Sequence, residues 1–258
     1  MNLSYFEGKV AIVTGAGQGI GFEISTVLAK LGCRVVMNDI DARLLEKSVE
    51  IINLQNPKSV IGFAGDCSKI EVIDAIIQKA LNEFETVDFL VANAGITTFG
   101  RFLDYEPNSL TKLMELNLFG TFFLTQHFAK SLINQNKQGK IVLISSVTGH
   151  LAHENLVAYG MTKAAIEQLA KNLVVELSPK KITVNSVAPG ATQTERTIED
   201  ENYTQTWSRI TPLGKPANVN DIAQTILFLL SEGANHITGQ TIVVDGGWTS
   251  VGVSPYLV

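Results

Sequence analysis

Residues 9–31, KVAIVTGAGQGIGFEISTVLAKL, constrain the fold more tightly than any other stretch. Residues 9–13 form a short, apolar, β-rich run, which breaks into Thr14-Gly15-Ala16-Gly17-Gln18-Gly19-Ile20-Gly21. Beyond it Ile20, Ile24, Val27, Leu28 and Leu31 recur at helical spacing, and Gly32 stands where a helix C-terminus expects one. Strand, glycine turn and helix together make a phosphate-binding unit. The glycines let the backbone approach a pyrophosphate, and the free N–H groups and dipole of the helix N-terminus meet its charge. The spacing is G-x-x-x-G-x-G, not G-x-G-x-x-G. A glycine-rich turn alone is weak, but the strand before it and the helix after it strengthen the reading.

The rest of the chain repeats the alternation of strand and helix. Strands are expected at 34–38, 59–64, 87–91, 141–146, 182–187 and 241–244, and between them run helical stripes such as Ile73, Ile76, Ile77, Ala80, Leu81 and Phe84. This predicts an α/β fold, a doubly wound parallel sheet of about seven strands with helices on both faces. One domain spans 1–258, with no linker, repeat or low-complexity run. A closed barrel is the alternative, but a glycine turn after the first strand and an acid, Asp39, ending the second favour the open sheet. Asp39 lies where a ribose diol would be held, whereas Asp41 suits the N-cap of the helix carrying Leu44, Leu45, Val49 and Ile52.

Two helices carry polar residues on stripes that should face inward. A long helix opening near Pro107 has Leu110, Leu113, Met114, Asn117, Leu118, Thr121 and Leu124 on one face. A buried amide must be hydrogen-bonded, so Asn117 is either a structural bridge or a site residue holding a water. In 157–177, Tyr159, Lys163, Ile166, Ala170, Leu173 and Leu177 share a face. Either Lys163 snorkels past a core tyrosine, or the two are a proton-transfer pair, since an ammonium beside a phenol favours the phenolate. The strand ahead ends in Ser145-Ser146, which could hold a substrate oxygen. After the fourth strand, Asn93 could bond backbone across the sheet and Gly95 leaves room for a cofactor, although Ala92-Asn93-Ala94-Gly95 also suits an ordinary turn. Residues 191–209 are polar and weakly periodic, reading as a substrate lid or a solvated helix pair.

Composition narrows the partners. A formal charge of −5, with lysine and arginine scattered, gives no footprint for nucleic acid. The opening MNLSYFEGKV lacks a basic and apolar leader, and no apolar run reaches membrane-spanning length, so a soluble, cytoplasmic protein is expected. Cys33 and Cys67 lack CxxC spacing and read as reduced, mostly buried thiols, and His127, His150, His153 and His236 show no metal-ligand pattern. No metal is expected.

With these pieces placed, the sequence resembles the short-chain dehydrogenase/reductase family, which includes 3-oxoacyl-[acyl-carrier-protein] reductases and hydroxysteroid and sugar dehydrogenases. The resemblance covers about residues 6–250. It rests on Thr14-Gly15-x-x-x-Gly19-x-Gly21, Asp66, Asn93-Ala94-Gly95, Asn117, Ser146, Tyr159-x-x-x-Lys163 and Pro189-Gly190-x-x-x-Thr194. It implies a Rossmann-type sheet and hydride transfer between a nicotinamide cofactor and a secondary alcohol or ketone. It selects Ser146, 13 residues before the tyrosine, over Ser145, and makes Asn117, Ser146, Tyr159 and Lys163 catalytic. Tyr159 would exchange the proton and Ser146 would bond the substrate oxygen. Lys163 would hold tyrosinate and ribose, and Asn117 would position a water. Gly15, Gln18, Gly19, Ile20, Asp39, Asp66, Cys67, Asn93, Ala94, Gly95, Pro189, Gly190, Thr192 and Thr194 would bind cofactor, together with Tyr159 and Lys163.

Ala92, often a second asparagine in relatives, and Cys67, often aliphatic, depart from the pattern without touching the chemistry. The resemblance also implies a homotetramer, supported by Leu and Phe on the outer faces of the two long helices and by the apolar tail 251–258. Of the two nicotinamide cofactors, Asp39 favours NAD over NADP. A 2′-phosphate beside it would meet repulsion on the order of 4 kcal/mol per charge pair at about 4 Å, before screening. Position 18 is Gln rather than a basic residue, and Arg43 is the one nearby cation. The substrate, a small molecule, is left open between an oxoacyl thioester and a sugar or polyol. A dinucleotide sensor without turnover is the reading from another class, and the intact serine, tyrosine and lysine argue against it.

Overall fold

Alternation along each strand divides the apolar side chains between the two faces of one parallel sheet. In β1 (Val10–Thr14), Ala11 and Val13 pack to one side and Val10 and Ile12 to the other. The pattern recurs in β2 (Arg34–Asp39), β4 (Phe89–Ala92) and β5 (Gly139–Ile144), where Phe89 and Val91 oppose Leu90 and Ala92. The first face is covered by α1 (Gly19–Lys30), α2 (Ala42–Gln55) and α9 (Val219–Leu230) through Ile24, Leu28, Leu45, Ile52, Ile222 and Ile226. The second is covered by α3 (Ile70–Phe84), α5 (Thr121–Asn134) and α6 (Val157–Asn172) through Ile73, Ile76, Phe128 and Ile166. Burying one such side chain contributes about 1.5–3 kcal/mol, so two filled layers are what hold the helices down.

With β3 (Val60–Ala64), β6 (Ile182–Pro189) and β9 (Thr241–Val244), the sheet runs β3-β2-β1-β4-β5-β6-β9, every pair parallel. The seven-stranded, doubly wound sheet expected from the sequence is therefore present. Strand order reverses between β1 and β4, which opens a crevice at their carboxyl ends. This computed structural model describes residues 2–252. Of the apolar tail at 251–258, residues 253–258 lie outside the described residues.

Three elements differ from expectation. The helix from Pro107 is interrupted: α4 (Pro107–Met114) passes into a π-helical segment (Glu115–Gly120) before α5 begins. The expected stripe is nevertheless buried through Leu113, Asn117, Thr121 and Leu124, while Leu110, expected inside, lies in the first turn of α4 and is 38% exposed. The helix expected over 157–177 ends at Asn172 and resumes as the single turn α7 (Val174–Leu177). Residues 191–209 hold one helix rather than a pair. A short strand β7 (Thr192–Gln193) pairs with β8 (Ala217–Asn218), and α8 (Tyr203–Ile210) buries no residue fully. Tyr203 Oη donates to Thr192 O at 3.2 Å, and Trp207 meets Trp248 edge to face with ring centres 4.8 Å apart. Asp41 caps α2 as expected, its side chain accepting from the N–H groups of Arg43 and Leu44.

Candidate active site

The crevice is built first by the glycine turn. Gly15 and Gly19 have φ of +61° and +62°, a region a side chain rarely enters, and at Gly21 a Cβ would stand 2.3 Å from Gly15 O. The end of β4 is stitched to this turn. Asn93 Nδ2 donates to Thr14 O and Gly15 O at 2.9 Å each, and Thr14 Oγ1 accepts from the N–H groups of Asn93 and Ala94 at 3.1 Å. Asn93 thus bonds across the sheet, and Thr14, buried, is its necessary counterpart. Asn38 does the same between β2 and β3, donating to Phe63 O and Gly65 O.

A cleft of about 310 Å³ runs along these strand ends. The glycine turn contributes Gly15, Gln18, Gly19 and Ile20; β2 and β3 contribute Asp39, Asp66 and Cys67; and β4 contributes Asn93, Ala94 and Gly95. Thr194 lines it beside the glycine turn, its Cγ2 3.6 Å from the Cβ position of Gly19. Pro189 ends β6, Gly190 follows it and Thr192 opens β7, with Thr192 Oγ1 donating to Gly190 O; none of the three lines the cleft. Asp39 is fixed from two sides: Oδ2 accepts from Gly17 N at 2.9 Å and Oδ1 from Asp41 N at 3.1 Å. Cys67 is a passive wall, because burial, aided by the Asp66 carboxylate, pushes its thiol up to about 12 and keeps it neutral. Burial raises the Cys33 thiol as well.

The second half of the site comes from β5 and α6. Lys163 is buried, and its Nζ donates to Ile144 O at 2.8 Å. The same ammonium lies 5.5 Å from the ring centre of Tyr159, one turn earlier on the helix. Tyr159 is half-buried and so is Ser146, which sits just past the strand as N-cap of a 3-10 turn (Val147–Gly149), its Oγ accepting from Thr148 N. Gly95 joins the halves. A Cβ there would stand 3.2 Å from Asn117 Oδ1 and 3.5 Å from Lys163 Nζ.

For Asn117 the structural role is explicit. Oδ1 accepts from Ile96 N, and Nδ2 donates to Ile96 O and Thr162 Oγ1. Both amide hydrogens are used, leaving a second lone pair on Oδ1 for a further partner.

The groups present fit a dinucleotide. They comprise a cradle that side chains at Gly15, Gly19 and Gly21 would fill, a helix N-terminus behind it, a carboxylate at the end of β2, and a lysine and tyrosine beyond Gly95. A family model described as "Enoyl-(Acyl carrier protein) reductase" matches residues 15–249. A diacetyl reductase [(S)-acetoin forming] of Staphylococcus epidermidis is 33% identical, the alignment covering 93% of this chain and 98% of that protein. A 3-oxoacyl-[acyl-carrier-protein] reductase of Aquifex aeolicus is 35% identical over 93% of this chain and 97% of its own length. The crystal structure of a 3-ketoacyl-(acyl-carrier-protein) reductase from Brucella melitensis, complexed with NADH, superposes with a TM-score of 0.88 at 30% identity, covering 95% of this chain and 99% of that one. The chain belongs to the short-chain dehydrogenase/reductase family.

Short-chain dehydrogenases/reductases bind a nicotinamide cofactor and interconvert alcohols and ketones, and this chain is an NAD(P)-dependent oxidoreductase of that class. Of the cleft residues that sequence reasoning missed, Glu195 and Arg196 carry charge. Both follow the expected Thr194 directly, but a polar, aperiodic segment gives no sign of which residues turn inward. Among the described residues, no three His, Cys, Asp or Glu side chains gather into a metal site, and no helix is long and apolar enough to cross a membrane.

Because the Gly21 cradle is closed by backbone on one side and Asn93 on the other, Gly21→Ala should weaken binding of the reduced nicotinamide cofactor at least about tenfold, a loss of about 1.4 kcal/mol. Fluorescence titration would measure it, with far-UV circular dichroism confirming the fold. Unchanged affinity in a folded variant would mean that the cofactor lies elsewhere.

Proposed function

We propose that this enzyme is an NAD(H)-preferring ketoreductase or alcohol dehydrogenase whose proton is handled by Tyr159. The observation that carries this reading is the buried Lys163 ammonium beside the Tyr159 ring and against Gly95, where the cleft ends. The cofactor would supply or accept the hydride. Tyr159 would give a proton to, or take one from, the substrate oxygen, and Ser146 Oγ would hydrogen-bond that oxygen as its charge changes. Lys163 would stabilise the tyrosinate and hold ribose hydroxyls with the ammonium protons that Ile144 O does not use. Asn117 would keep the loop after β4 in place through Ile96 and offer its free lone pair to a water. Gly15, Gly19 and the first turn of α1 would meet the pyrophosphate, Asp66 and Cys67 the adenine, and Thr194 the carboxamide.

The substrate is a secondary alcohol or the matching ketone. Phe99, Phe102 and Leu103, each more than 70% exposed on the loop following β4, would give the entrance an apolar rim. Such a rim would favour a carbon-chain ketone, as in relatives named for diacetyl and 3-oxoacyl substrates, over a sugar acid, as in a relative named for 5-keto-D-gluconate. A panel of diacetyl, acetoacetyl thioesters, sugars, polyols and steroids would rank them. Residues 191–209 would serve as a substrate lid, and the enzyme would work in the cytoplasm. Leu110, Phe119, Phe122, Val157 and Met161, exposed on α4, the π segment, α5 and α6, support a homotetramer built through these helices. Light scattering should give a tetramer at micromolar concentration, and a 28.0 kDa monomer would refute it.

Tyr159→Phe removes the transferable proton and little volume. It should leave NAD(H) affinity nearly unchanged while abolishing turnover, and activity within about tenfold of wild type, 1.4 kcal/mol in barrier, would sink the assignment.

The preference for NAD(H) rests on Asp39, whose carboxylate is pinned at the cleft by the Gly17 and Asp41 N–H groups and cannot easily turn away from a 2′-phosphate. Arg43 does not line the cleft. Arg196 does, next to Glu195, whose carboxylate lies 3.7 Å from the Cβ position of Gly19 and so on the glycine-turn side. We expect kcat/KM for NAD(H) to exceed that for NADP(H) at least about tenfold, and Asp39→Ala to narrow the gap. Equal use of both by the unmodified enzyme would contradict the reading.

A further inference from the structure

Two residues that the proposed chemistry leaves unused, Ser145 and His150, meet at one carboxylate on the helix that carries Tyr159 and Lys163. Ser145 Oγ lies 2.6 Å from Glu167 Oε1 and 2.9 Å from the main-chain oxygen of Lys163, so its single proton is shared between the two acceptors, with the shorter contact to the carboxylate. His150 Nε2 lies 3.1 Å from the same Glu167 oxygen. The Glu167 side chain is only 15% exposed, and Ser145 is buried.

Backbone fit shows how closely this segment is pressed on α6. A Cβ at Gly149 would stand 2.7 Å from Glu167 Oε1 and 3.1 Å from Ala164 N, and one at Gly160 would stand 2.7 Å from Thr148 O. At Gly160 the obstacle is backbone, and at Gly149 a side chain would push the Glu167 carboxylate aside.

A largely buried carboxylate is costly to keep, and an apolar side chain would fill the same space without that cost. What the carboxylate adds is position. One oxygen accepts from Ser145 Oγ and has His150 Nε2 3.1 Å away, which ties the start of the segment 145–150 to the helix by a hydrogen bond and its far end by a close polar contact. Ser146 is covalently next to Ser145, and Lys163 is one turn before Glu167. The placement of Ser146 Oγ against Tyr159 therefore depends on this junction.

We propose that Glu167 is a positioning residue, accepting a hydrogen bond from Ser145 and facing His150 at close range, so as to lock the serine segment onto the tyrosine–lysine helix. This rests on the reading of Ser146, Tyr159 and Lys163 as the catalytic groups. The requirement is for an acceptor oxygen at that point, so an amide that reproduces the acceptor should serve nearly as well as the acid.

The full-length enzyme is assayed with NADH and the ketone that the substrate panel identifies, comparing Glu167→Ala, Glu167→Gln, Ser145→Ala and the Ser145→Ala/Glu167→Ala pair. Glu167→Ala should lower kcat at least about tenfold while the NADH dissociation constant stays within about twofold. Glu167→Gln should recover kcat to within about threefold of wild type. The double variant should lose no more than Glu167→Ala alone, because both substitutions open the same junction. Three results would overturn the proposal: kcat within threefold of wild type in Glu167→Ala, a Gln variant as impaired as the Ala variant, or losses that multiply. Should Glu167→Ala fail to fold, Ser145→Ala carries the test. It empties little volume, so kcat must fall at least threefold with NADH affinity unchanged, and an unchanged kcat overturns the idea. An active Tyr159→Phe enzyme would strike the catalytic assignment itself. An inactive Tyr159→Phe beside an unimpaired Glu167→Ala strikes this inference alone.

Discussion

A cation cannot be taken out of water without a partner, and in this fold the cation at issue is Lys163. Its side chain is buried, its ammonium donates to the carbonyl of Ile144, the last residue of β5, and its aliphatic stem fills the space between helix and sheet. A hydrogen bond to a charged group contributes about 1.5–3 kcal/mol, so α6 is held against the end of β5. That contact helps to fix where Tyr159 and Ser146 sit, because one is a helical turn before Lys163 and the other is two residues beyond Ile144, and the Ser145–Glu167 junction completes the placement.

The other half of the site is fixed by neutral hydrogen bonds. Asn93 and Thr14 tie the end of β4 to the glycine turn with four bonds, each contributing about 0.5–1.5 kcal/mol net but costing more to leave unmade in a buried place. Asn117 ties the loop beyond β4 to the π segment. The halves meet at Gly95, where a side chain would crowd both Asn117 and Lys163. The parallel sheet brings every one of these groups to the same edge, since strands that all run one way end together.

Much of this was legible in the sequence because it depends on local pattern. Short continuous apolar runs located the seven strands and 3.6-residue apolar spacing most helices, and the glycine turn with Asp39 located the cleft. What was not legible depends on element ends or on distant contacts. Leu110 was expected inside, but it lies in the first turn of α4 and stays exposed while Leu113, Asn117, Thr121 and Leu124 of the same stripe are buried. Asn117 could not be assigned from spacing, because an inward amide serves a bridge and a water equally well until its partners are known. Glu167 lies four residues past Lys163 on the same stripe, yet a glutamate there reads as a solvated charge until Ser145 and His150 are seen to converge on it. Glu195 and Arg196 sit in a segment without periodicity, where the sequence carries no signal of direction.

The central claim is that one buried ammonium organises both the proton transfer and the cofactor's ribose. Replacing Lys163 by Met keeps the stem and removes the charge, and the direct measurement is single-turnover oxidation of NADH by the variant, with its NADH affinity titrated separately. The account predicts a folded protein whose chemical step is slowed at least about 1000-fold, roughly 4 kcal/mol in barrier, with NADH bound more weakly. A Lys163→Met enzyme that turns over within about tenfold of wild type, or that binds NADH unchanged, would contradict it.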